Sequence, residues 1–136
     1  MKLIIGGLAQ GKLNYVLQNE ANENRMILDG AFPSSQQMEE AKRNKSTVII
    51  HHFHRLVRQE LIARHDVEKT VTERMMELAG AYPDVTVICD EIGNGIVPVD
   101  AFERDYREQT GRILIRLAKE ADEVVRVLCG IGQRIK

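Results

Sequence analysis

Short, almost wholly apolar runs recur along the chain at residues 3–5, 26–28, 47–50, 85–89 and 124–129, most of them rich in Val and Ile. Runs of this length suit strands buried on both faces, as in a parallel sheet covered by helices. The segments between them carry helical spacing instead. Over residues 67–81, Val71, Met75, Leu78 and Ala79 share one face while Glu68, Lys69, Glu73 and Arg74 fall elsewhere, and Tyr82-Pro83-Asp84 stops the helix. A second amphipathic helix is predicted over residues 99–121, with Phe102, Tyr106, Ile113, Leu114 and Leu117 facing inward. Residues 30–44 read as a loop through Pro33-Ser34-Ser35, with a serine cap, and one short helix. Strands alternating with helices predict an α/β fold with a largely parallel sheet, because parallel neighbours need crossovers. No repeat, low-complexity tract or Pro/Gly/Ser linker interrupts the pattern, so residues 1–136 are expected to form a single domain.

Composition narrows the picture only modestly. The chain's 136 residues suffice for one hydrophobic core, and 43% apolar with 29% charged residues excludes disordered, collagen-like and coiled-coil classes. The formal charge of −1, with both signs interspersed, offers no field for nucleic acid or an anionic membrane, and no nucleic-acid partner is expected. The apolar N-terminal stretch stops at Gly6-Gly7, short of a signal peptide's apolar region or a membrane span, so a cytoplasmic location is expected. Cys89 and Cys129 both end apolar runs and read as reduced core thiols.

The first candidate chemistry is Gly6-Gly7-Leu8-Ala9-Gln10-Gly11-Lys12-Leu13, which fits G-x-x-x-x-G-K between the first apolar run and a helical pattern. Glycines there let backbone N–H groups converge on phosphate oxygens, and the following helix aims the positive end of its dipole at them. Lys12 would neutralise the β- and γ-phosphates. The motif's last position is Leu13, where a Ser or Thr hydroxyl ordinarily ligates Mg²⁺. The motif therefore reads as phosphate or nucleotide binding without efficient transfer, against the alternative of a glycine-rich turn that binds nothing.

A second constellation lies in the last third: Ile88-Cys89-Asp90-Glu91-Ile92-Gly93-Asn94-Gly95-Ile96-Val97-Pro98, then Arg104, Tyr106, Arg107, Gly111, Ala121-Asp122-Glu123-Val124 and Gly130-Ile131. With the glycine-rich loop, it resembles the bifunctional adenosylcobinamide kinase/adenosylcobinamide-phosphate guanylyltransferase family, whose members share N-E-V-G-x-G-I-V-P, R-x-F/Y-R-D-x-x-G and A-D-x-V segments. The resemblance implies a RecA-like, three-layer P-loop fold and phosphorylation of the aminopropanol hydroxyl of adenosylcobinamide by GTP or ATP. It also implies attachment of GMP through a histidyl intermediate, and a homo-oligomer, a trimer in that family. Gly6, Gly7, Gly11 and Lys12 match its phosphate loop; Glu91, Gly93, Gly95 and Pro98 match its later segment.

The departures from the family pattern are specific. Its third strand ends in a carboxylate suited to Mg²⁺, whereas here residues 47–50 run into His51-His52-Phe53-His54. Between residues 28 and 47 nothing matches the guanylylated histidine, so guanylyl transfer is not expected. The candidate set is a binding loop of Gly6, Gly7, Leu8, Ala9, Gln10, Gly11, Lys12 and Leu13, catalytic groups Lys12, Asp90 and Glu91, and metal ligands His51 and Asp90. GTP or ATP with Mg²⁺ would be the cofactors and a corrinoid the acceptor. Asp90-Glu91 reads either as a carboxylate pair for a metal or a hydroxyl, or with Glu91 fixing the Gly93-Asn94-Gly95 turn. His51, His52 and His54 either line a solvated cleft or bind a transition metal, and His65 reads as surface. Two further functions stay open: a nucleotide- or corrinoid-binding sensor or partner subunit, and a metal-handling protein built on the histidines.

Overall fold

All five apolar runs become strands in the computed structural model, which describes residues 1–136. They form β1 (Lys2–Gly6), β2 (Arg25–Asp29), β3 (Thr47–His51), β4 (Thr86–Asp90) and β5 (Glu123–Leu128), joined by a sixth strand, β6 (Ile131–Arg134). The helices are α1 (Lys12–Asn19), α2 (Ser35–Asn44), α3 (Phe53–Ala63), α4 (Glu68–Ala81) and α5 (Ala101–Glu120). One sheet holds all six strands in the order β2-β3-β4-β1-β5-β6. Every neighbouring pair is parallel except β5 and β6. No helix is long and apolar enough to cross a membrane.

Alternation along the strands divides the core in two, as the two-residue period of a strand requires. Leu3, Val48, Ile50, Val87, Cys89 and Val124 face a large cluster completed by Phe53, Val57, Val71, Met75, Ile113 and Leu117 of α3, α4 and α5. Ile4, Ile49, Ile88, Val125 and Val127 face the other side, against Val16 and the partly buried Leu13 and Leu17 of α1. The result is the three-layer α/β arrangement expected from the sequence. The short helix α2 has the foreseen serine cap: Ser34 Oγ accepts from the Gln37 N–H at 3.2 Å and Gln37 Oε1 accepts from the Ser34 N–H at 2.9 Å. Such a cap contributes about 1 kcal/mol.

Three features depart from the sequence reading. Helix α3 follows His52 at once, so the three histidines divide between the end of β3, the helix start and the first turn of α3. Phe53, Leu56, Val57 and Leu61 form its buried face, while Ile62 is exposed. Strand β6 is largely exposed and antiparallel, so it lacks the apolar signature that marked the others. Cys129 is the third: it was expected in the core, but it is exposed because Cys129 and Gly130 form the tight turn between β5 and β6, with φ of 51° and 78°. Cys89 does lie in the core, where burial pushes its thiol up to about 12. A thiol reagent is therefore expected to modify only Cys129 in the folded protein and both cysteines in urea, as read by mass spectrometry. Modification of Cys89 at native speed would contradict this packing.

Candidate functional site

A parallel sheet brings the C-terminal ends of its strands to one edge, where α/β proteins bind ligands. Here that edge collects Gly6, Asp29, His51 and Asp90 from β1, β2, β3 and β4. The register sets them in adjacent pairs, Gly6 beside Asp90 and Asp29 beside His51.

From Gly6 the chain loops over the end of β1 and enters α1. Gly11 precedes the helix with φ 79° and ψ 20°, a conformation glycine adopts without the Cβ penalty other residues incur. The outer wall of the loop comes from the far end of the sequence: Gln10 O accepts from the Gly130 N–H at 2.9 Å, and Gln10 Oε1 accepts from the Cys129 N–H at 2.6 Å. A cavity of about 270 Å³ opens beside it, lined by the loop together with His51, His52 and Asp90.

Lys12 lines this cavity with its charge already engaged. Its ammonium donates to the Gly7 carbonyl at 2.6 Å and lies 2.7 Å from Asp90 Oδ1, and both side chains are almost fully buried. Asp90 thus occupies the position of counter-ion that a phosphate would take. On its other side the Asp90 N–H donates to His54 Nδ1 at 3.3 Å, which leaves His54 Nε2 to carry that ring's proton, 3.8 Å from Asp90 Oδ2. Burial holds the His54 pKa below its ordinary value, with the Asp90 charge opposing. His51 is lowered too, first by burial and then by His52.

Asp90 and Glu91 do not converge. Glu91 turns to Arg126 of β5, which grips it through Nε at 2.9 Å and a terminal nitrogen at 3.0 Å, while Asn94 Nδ2 donates to it at 3.3 Å. Glu91 therefore steadies the Gly93-Asn94-Gly95 turn through the Asn94 side chain. The arginines of the last-third motif have a related task. Arg104 donates to the carbonyls of Pro98 and Val99, and Arg107 donates to that of Ile96. They tie down a loop whose Ile96 and Val99 are more than nine-tenths exposed.

The histidines separate into two groups. His54, on α3, belongs with Asp90, whereas His51 and His52 belong with Asp29, a residue the sequence reading did not single out. Its signal was available: the second and third apolar runs each end in a ligand-type side chain, Asp29 and His51. His52 Nδ1 is hydrogen-bonded to Asp29, and this bond first, with the nearby positive charges after it, holds the Asp29 carboxyl below its usual range. His65 is exposed, as expected.

These donors do not fit a Mg²⁺ ion, which demands oxygen ligands in near-octahedral geometry. Leu13 packs into the apolar cluster beneath α1, the end of β3 offers imidazole instead of carboxylate, and Asp90 is already engaged by Lys12.

Comparison with known proteins bears on the region beyond the loop. The family model for cobinamide kinase / cobinamide phosphate guanyltransferase matches residues 31–135, from the approach to α2 to the end of β6. The glycine-rich loop precedes the matched span. Over 52 residues, 38% of this chain, the sequence is 46% identical to the bifunctional adenosylcobalamin biosynthesis protein CobU of Salmonella typhimurium. It is 42% identical to the protein of the same name from Escherichia coli over the same length. The aligned segment covers 29% of each relative, under a third of its length. With a match that takes in all but the first two strands and the first helix, the chain belongs to the cobinamide kinase / cobinamide phosphate guanyltransferase family.

Proposed function

We propose that this protein is a nucleotide-binding member of its family in cobalamin biosynthesis, taking the phosphates of GTP or ATP in the loop of residues 6–13 and a corrinoid of the adenosylcobinamide class as acceptor. Phosphoryl transfer is the one family reaction it retains. The observation that carries this reading is the buried Lys12–Asp90 pair at the base of the loop cavity. An incoming phosphate offers Lys12 a second anionic partner, and exchange of the ammonium from Asp90 to the phosphate frees a carboxylate at the edge of the same cavity. A freed Asp90 is placed to accept the proton of an acceptor hydroxyl, with His54 supporting it from behind. Charge neutralisation and positioning supply most of the catalysis of phosphoryl transfer, and Lys12 is the cation available for the first.

The test is thermal-shift and calorimetric titration with GTP, ATP and GDP, each with and without Mg²⁺, followed by turnover with adenosylcobinamide. Bound nucleotide at one hundred times its Kd should stabilise the fold by about 2.7 kcal/mol. Turnover should give a phosphorylated corrinoid and no GMP adduct. Absence of any nucleotide effect on stability would overturn the proposal. Leu13 favours a second reading, in which nucleotide or corrinoid binds without transfer and the chain serves as a sensor or partner subunit. Binding without corrinoid-dependent nucleotide consumption would select it. Light scattering on the same samples tests the homo-oligomer, a trimer by family resemblance, in a cytoplasmic protein.

A further inference from the structure

Asp29, His51 and His52 form a cluster that phosphate binding does not use. Asp29 and His51 are register partners at the ends of β2 and β3. His52 follows with φ 51° and ψ 46°, a left-handed conformation unusual for a side chain of its size, and this turns it back toward Asp29. The ring centroids of His51 and His52 lie 3.6 Å apart. One ligand-type atom from each of the three residues falls within 4.8 Å of the others. Around a tetrahedral ion with ligands at about 2.1 Å, neighbouring ligand atoms stand about 3.4 Å apart, so an ion would part the hydrogen-bonded His52–Asp29 pair and draw in any wider separation by side-chain rotations of roughly 1 Å.

We propose that Asp29, His51 and His52 bind a late first-row divalent cation of the zinc class, with its open coordination positions facing the phosphate-loop cavity. Two imidazoles and one carboxylate are one of the donor sets of catalytic zinc sites, and imidazole suits zinc, copper, iron or nickel where magnesium takes oxygen ligands. The set is also placed for use, because His51 and His52 line the cavity that holds the loop residues. His54 is excluded as a ligand by its own contacts, since its Nδ1 accepts the Asp90 N–H and its Nε2 faces the Asp90 carboxylate. The end of β3 thus carries one nitrogen donor, and the second is its immediate neighbour in sequence.

The experiment is calorimetric titration of the chelator-stripped full chain with Zn²⁺ alone, with Co²⁺ as a spectroscopic substitute whose visible absorption reports nitrogen–oxygen ligation. One ion per chain should bind, and a large excess of Mg²⁺ should not displace it. His51→Gln, His52→Asn and Asp29→Asn should each weaken binding by more than the ~10–100-fold that loss of an outer-shell partner costs. Asn is used at position 52 because it tolerates the left-handed backbone, and circular dichroism checks the fold of each variant. His65→Ala should leave affinity unchanged. Failure to bind Zn²⁺, or binding that survives the His51→Gln/His52→Asn double replacement in a folded protein, overturns the proposal. No nucleotide is present in the assay, so the outcome is independent of the proposed function.

Discussion

Lys12→Met is expected to destabilise the protein by about 3–5 kcal/mol and to abolish its response to nucleotide. The stability loss comes from what remains behind. Lys12 and Asp90 are 5% and 8% exposed, and their charged atoms are 2.7 Å apart, so removing the ammonium strands a carboxylate that water reaches poorly. The pair itself contributes far less than its rupture costs, because both ions were desolvated to form it. A Lys12→Met/Asp90→Leu double variant should therefore recover much of the stability while remaining unable to bind phosphate. Urea denaturation of the parent, the two single variants and the double variant gives the coupling directly. A loss below about 1 kcal/mol for Lys12→Met would mean that solvent screens the pair as it does a surface salt bridge, and that Asp90 is not a buried counter-ion of Lys12.

Gly6→Ala should be nearly as damaging, for a steric reason. A Cβ at Gly6 would stand 2.4 Å from the carbonyl oxygen of Val127. The obstacle is backbone, not a mobile side chain, and β1 and β5 are locked in parallel register from Lys2 beside Glu123 to Ile5 beside Arg126. Relief requires parting two central strands, which should cost about 3 kcal/mol or more and lower Tm by roughly 10 °C. Gly80→Ala provides the contrast, since nothing lies within 4 Å of a Cβ there and alanine suits α4 better. Equal melting temperatures for Gly6→Ala and the parent would show that the two strands yield more easily than their pairing implies.

Much of this architecture is legible in the sequence wherever burial dictates residue type. β1, β3 and β4 are central strands whose neighbours and covering helices bury their middle positions on both faces, and the apolar runs at those positions give them away. The helices α4 and α5 announce themselves by their spacing, and α2 by its serine cap. The antiparallel β6 escapes because an edge strand with exposed faces has no pattern to keep. Cys129 misleads for a local reason: its flanking residues are apolar, but its place is decided by a hairpin turn that follows it.

The candidate site divides along the same line. Residues 6–13 stand out by their spacing, since the glycine pattern expected of a phosphate loop lies within one short segment, and the structure sets that segment between β1 and α1. The partnership of Lys12 with Asp90 needs two strands side by side, and nothing between residues 12 and 90 signals that β1 and β4 are neighbours. Glu91 looks interchangeable with Asp90 in sequence, yet the strand's alternation sends the two to opposite sides, one to Lys12 and the other to Arg126. Asp29 carries a signal as the polar end of an apolar run, but its partner His51 is visible only once β2 and β3 are paired in register. Chemistry assembled within one segment is readable, and chemistry assembled across strands waits for topology.

The clasp between Gln10 and the Cys129–Gly130 turn joins positions 119 residues apart. Contacts of such separation are made late when a chain folds, because the entropy of closing so large a loop is lost before the contact can repay it. The glycine-rich loop is synthesised long before the β5–β6 hairpin, so its outer wall cannot exist until that hairpin has been made and docked. The shape of the loop is in that sense acquired by the folded molecule, and a nascent or truncated chain that carries the whole motif still lacks one wall of it.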